Sequence, residues 1–123
     1  MLSVKEIQRI VDRVKSGNLP TNEMRDLVHH QSPLVRANAL ESLVESAQHT
    51  GILLDDLIKA ALDTTNSVRL MGTISVAHVA VSCLLRVGTP EALQAAHRLW
   101  ISWPEPDRKD LTWYLESEGL QIG

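Results

Sequence analysis

Between Arg69 and Arg86 the chain runs for sixteen residues without a charge. The whole stretch, Ser67 to Gly88, reads SVRLMGTISVAHVAVSCLLRVG. A segment this apolar has to be enclosed. A membrane span needs about 20 predominantly apolar residues, and this one is shorter and diluted by His78, Ser75, Ser82, Thr73 and Gly72. Strands usually run about 4–8 residues, and only Gly72 breaks the run, although Val76, Val79, Val81 and Val87 favour pleated structure. A long buried helix fits best, covered on several sides by other helices. Thr65, Asn66 or Ser67 is expected to cap its start. Gly88 is expected to end it in the left-handed conformation that closes many helices. Val76, Val79, Ala80, Cys83 and Leu84 are its expected buried residues.

The chain has 123 residues, which suits one domain spanning 1–123. It has no Phe, three Trp and one Tyr, so the core must be aliphatic, which suits close helix-on-helix packing. Net charge is −3, which points away from nucleic acid, because phosphate binding needs a basic face. The N-terminal residues start charged and helical, with no apolar signal-peptide core. The expectation is therefore a cytoplasmic protein with neither a membrane nor a nucleic-acid partner. Cys83 is the single cysteine and reads as a small buried hydrophobe.

Periodicity places helices along the rest of the chain. Val4, Ile7, Ile10, Val11 and Val14 form one stripe over 3–16, opened by the capping-box pair Ser3 and Glu6 and stopped at Gly17-Asn18. A short helix follows Leu19-Pro20-Thr21. A third begins at Ser32-Pro33, with Leu34, Val35, Ala39, Leu40, Leu43, Val44 and Ala47 inward. Glu41, Glu45 and Gln48 face water, and Thr50-Gly51 closes it. A fourth covers 52–62, exposing Asp55, Asp56 and Lys59. The sixth runs from Thr89-Pro90 to about Trp100. Trp103-Pro104-Glu105-Pro106 then forbids helix, and a last helix is expected from Asp107 to about Ser117. No strand or hairpin pattern is visible.

The third and fifth helices overlay at an offset of 33. SPLVRANALESLVESA falls on TNSVRLMGTISVAHVA, pairing Val35-Arg36 with Val68-Arg69 and Ala39 with Gly72. Such a period is the mark of an α-solenoid. At these residues, over about 20 to 100, the chain resembles the HEAT repeat family. That family's second helix opens with Asp-Pro-x-Val-Arg and a small residue. Both copies here lack the aspartate. The resemblance implies an all-α, short right-handed solenoid of about seven helices, with Arg36 and Arg69 at equivalent positions facing the seam between repeats.

No catalytic or metal pattern is present. His29-His30, His49, His78 and His97 form no i,i+4 metal pair on one helix. His78 and Cys83 lie well apart around their helix, and the apolar surroundings of Cys83 argue against an activated thiol. No cofactor is expected. Two groups of side chains stand out as partner-binding candidates. Glu41, Glu45, Asp55 and Asp56 can merge into an acidic patch on adjacent helices, suited to a basic protein. Trp100, Trp103, Trp113 and Tyr114 fall within fifteen residues, and either seal the last repeat or anchor a partner. The expected role is a non-enzymatic adaptor or inhibitor of the immunity type. The alternative is a HEAT-like enzyme or ligand binder, such as a DNA glycosylase- or bilin lyase-like protein.

Overall fold

The computed structural model describes residues 3–16, 19–46, 51–67, 69–71 and 74–122. Seven helices carry most of them: α1 (Val4–Lys15), α2 (Thr21–Leu27), α3 (Pro33–Ser46), α4 (Gly51–Leu62), α5 (Val76–Val87), α6 (Pro90–Ser102) and α7 (Glu105–Ser117). A 3₁₀ turn (Thr64–Ser67) and two short strands, β1 (Arg69–Met71) and β2 (Ile74–Ser75), stand between α4 and α5. Among the described residues no helix is long and apolar enough to cross a membrane.

The apolar stretch does lie at the centre. α5 packs on α3, α4 and α6, and α7 also reaches it. Every residue from Val76 to Leu84 is buried, so the helix is covered all round, as its lack of charge requires. The expected core residues Val76, Val79, Ala80, Cys83 and Leu84 are all at most 3% exposed. Leu40 and Leu43 of α3, Leu57 of α4, Leu99 of α6 and Leu111 and Leu115 of α7 complete the same core. α1 and α2 pack on α3.

The start of α5 corrects the expectation. The helix begins at Val76, not near Ser67. Ahead of it, β1 and β2 pair antiparallel, with Arg69 opposite Ser75. Two strands this short leave no alternation to read. The cap is therefore Ser75 rather than Thr65, Asn66 or Ser67. Its hydroxyl accepts the His78 N–H at 3.2 Å. The Ser75 N–H in turn donates to His78 Nδ1 at 3.1 Å, so serine and histidine close a reciprocal capping box. Gly88 ends the helix with φ +74°, a conformation that costs glycine no Cβ clash.

Other termini follow their caps. The Ser3 hydroxyl accepts the Glu6 N–H at 3.1 Å, and the Thr89 hydroxyl accepts the Ala92 N–H at 3.2 Å. α7 starts at Glu105 rather than Asp107. Pro106 sits in its first turn, where the missing N–H is no loss, so only Trp103-Pro104 interrupts the helices. Val4 (83%) and Leu34 (41%), expected in inward stripes, are exposed, as are the apolar side chains of Leu62 (61%) and Leu93 (44%). Val4 and Leu62 lie at helix ends, beyond the reach of the neighbours that cover the middle. The expected stops at Gly17-Asn18 and Thr50, together with Ala47, Gln48, His49, Val68, Gly72 and Thr73, lie outside the described residues.

Candidate functional site

Arg36 is the most heavily bonded of the residues picked out by motif. It lies one turn into α3 and is 8% exposed. Its Nε donates to Asn66 Oδ1 at 2.7 Å. Its Nη1 donates to the carbonyls of His30 at 2.8 Å and Gln31 at 3.1 Å. Asn66, in the 3₁₀ turn, passes the connection on through Nδ2 to the Ala60 carbonyl at 2.9 Å. Arg36 therefore binds the α2–α3 turn to the end of α4. Burial pulls its guanidinium below the ordinary value, and Asp63 pushes it back. Arg69 holds no matching place at the start of a helix, because it lies on β1.

The four carboxylates divide into two groups. Arg25 of α2 holds Asp56 of α4, with Nε–Oδ2 at 2.7 Å, and this pair raises the arginine further. Asp55 is exposed beside it. Glu41 was expected to face water but is only partly exposed. Its charged neighbours are Arg86, Glu118, Glu45 and Lys15, and no aspartate of α4 is among them. Burial is the main cause that raises its carboxyl, and Arg86 opposes it. Arg86 itself pairs with Glu118 at 3.3 Å, joining the end of α5 to the end of α7. Burial raises the Tyr114 phenol, and the nearby Ser82 hydroxyl opposes that rise. The Ser82 hydroxyl donates to the Val79 carbonyl at 2.7 Å.

The aromatics separate as well. Trp100, Trp103 and Tyr114 pack against the core. Trp103 meets the buried His78 ring edge-on at 5.4 Å. Trp113 points away and is 62% exposed. On α6, Leu93 and Ile101 are also exposed, and with exposed His97 they follow the i,i+4,i+8 spacing of one helix edge. Sequence alone grouped the four aromatics. What separates Trp113 from Tyr114 is the rotation of α7, fixed by Leu111 and Leu115 in the core.

Two cavities border these elements. One, of about 420 Å³, lies between α2 and α4 and is lined by Arg25, Asp26, His29, Asp56, Lys59 and Asp63 among others. The Arg25–Asp56 pair crosses it, so part of its polar lining satisfies itself. A smaller one of about 210 Å³ lies beside His78, Trp103, Asp107 and Ser67. Among the described residues no group of three or more His, Cys, Asp or Glu side chains is placed to hold a metal ion. Cys83 is buried, and its thiol is pushed up to about 12, chiefly by burial. Compared with protein-family models, curated proteins and solved structures, the chain matches none.

Proposed function

We propose that this protein is a non-enzymatic interaction module that binds another protein on its C-terminal face, through α6 and α7. The observation that carries this reading is Trp113. Three aromatics contribute to the core, while the fourth leaves most of its ring in water. Tryptophan is among the commonest anchors of protein interfaces, and Leu93 and Ile101 add exposed apolar surface on the neighbouring helix. A cap on a terminal repeat would turn such a ring inward, as Trp100 and Trp103 do.

The architecture proposed is a short HEAT-like helical-repeat solenoid. Its support is the Ser32-Pro33-Leu34-Val35-Arg36 motif and the way Arg36 bridges one helical hairpin to the next. An adaptor or inhibitor of a cytoplasmic partner is the role this suits. A basic partner held by Glu41, Glu45, Asp55 and Asp56 is the competing form of the same reading. The division of those carboxylates between two seams favours the C-terminal face over it.

The test is capture from the native host with three baits: wild type, Trp113→Ala, and a variant with Glu41, Glu45, Asp55 and Asp56 replaced by neutral polar residues. Trp113 is exposed, so its loss leaves the fold intact by circular dichroism. The expected result is a partner retained by the carboxylate variant and lost by Trp113→Ala. Retention by Trp113→Ala overturns the C-terminal face.

A further inference from the structure

Two hydrogen-bond donors at the junction of α6 and α7 have no acceptor among the described residues. Trp100 Nε1–H and Arg108 Nε–H are closed to solvent, and neither has a hydrogen-bond partner there. They lie together, with the Arg108 guanidinium carbon 5.7 Å from the centre of the Trp100 ring. The His97 ring stands 5.9 Å from that ring. Buried donors are almost always satisfied, because one left unpaired forfeits its hydration. Two beside each other point to a shared acceptor.

We propose that this junction is a carboxylate-binding site, where the partner of the C-terminal face places an acidic side chain. A carboxylate offers two oxygens in one plane, which suits a guanidinium fork and leaves an oxygen for the indole N–H. A phosphate dianion fits less well. Arg108 shares its helix, within one turn, with Glu105, Asp107 and Asp110, which disfavour a doubly charged anion. Arg108 is partly exposed, so its head can lift from the ring to admit the anion. The cation–π contact then gives way to charge-assisted hydrogen bonds, which are stronger and more directional. The apolar edge of Leu93 and Ile101 on α6 would receive the residues beside the carboxylate.

The source of the carboxylate rests on the partner-binding reading, but the site itself is tested without a partner. Sodium acetate is titrated into ¹⁵N-labelled protein against sodium chloride at equal ionic strength, and the three indole N–H resonances are followed. Trp→Phe variants assign them. The expected result is a saturable downfield movement of the Trp100 resonance with acetate only, while Trp103 and Trp113 stay in place. Arg108→Lys keeps the charge but loses the Nε donor, and should weaken the response at least about tenfold. Arg108→Leu should abolish it. No saturable movement, equal movement of all three indoles, or an unchanged response in both Arg108 variants overturns the carboxylate site. Since acetate involves no protein partner, that outcome is distinct from a failed capture through Trp113.

Discussion

The start of α3 and the segment ahead of α5 share a Val-Arg pair at an offset of 33 and adopt different structures. Ser32-Pro33-Leu34-Val35-Arg36 opens a helix at Pro33. Thirty-three residues on, Thr65, Asn66 and Ser67 lie in a 3₁₀ turn and Arg69 lies on a strand. Both starts use a histidine ring in the same way: His30 Nδ1 accepts the Ser32 N–H at 3.0 Å, and His78 Nδ1 accepts the Ser75 N–H at 3.1 Å. The second cap falls ten residues later than the motif implies. Asn66 shows one reason. It is 2% exposed, and its amide is held between Arg36 and the Ala60 carbonyl. The first copy of the motif thus engages part of the second. A motif supplies local preference, but the strongest cap and the demands of the neighbouring unit decide where the helix begins.

The largest expected effect asks whether α5 is central however it begins. Leu84→Ala, at a site with 0% exposure, should lose about 2–5 kcal/mol in urea unfolding. Leu62→Ala, at the exposed end of α4, should change stability by less than about 0.5 kcal/mol. Similar losses at the two positions would mean that α5 is not the enclosed element.

Next comes the arginine pair. Arg36→Leu strands Asn66 Oδ1 and two carbonyls, and a loss of about 2–3 kcal/mol is expected from the unsatisfied groups. Arg69→Leu is the breaking test, because an equal loss would restore the equivalence that the backbone of β1 denies. The cap that begins α5 is weaker than either. Ser75→Ala should lose about 1 kcal/mol and raise amide exchange in the first turn of α5. An unchanged exchange rate would shift the start signal away from Ser75.

The smallest effect is a pH dependence. Burial holds the Glu41 carboxyl above its ordinary value of 4.5. A raised carboxyl favours the fold while it is protonated. That contribution is complete below 4.5 and fades as pH rises through the higher folded value. Glu41→Gln should remove the slope and leave the variant at least as stable as wild type at neutral pH. Urea midpoints for both proteins between about pH 4 and 8 measure it, and parallel profiles would remove Glu41 as the cause.

What was legible in the sequence follows from how local each feature is. Ser3, Thr89-Pro90 and Gly88 act on residues within one turn, and all three mark helix ends as expected. The uncharged run announced its own burial. The strand pair did not, since two and three residues hold too little pattern. Glu41 looked solvent-facing because two of the charged residues beside it, Arg86 and Glu118, lie more than forty positions away. The orphan donors Trp100 Nε1 and Arg108 Nε were invisible because their approach depends on tertiary packing. They meet only when α7 folds back on α6.

Cys83 gives the central helix a clock. A thiol buried to 0% exposure and pushed up to about 12 has almost no thiolate at neutral pH. Disulfide reagents therefore react with it only in molecules where α5 has come open. Because it is the single cysteine of the chain, the rate of its modification counts those openings one by one. At low reagent the rate follows the equilibrium population of the open form. At high reagent it follows the opening step itself.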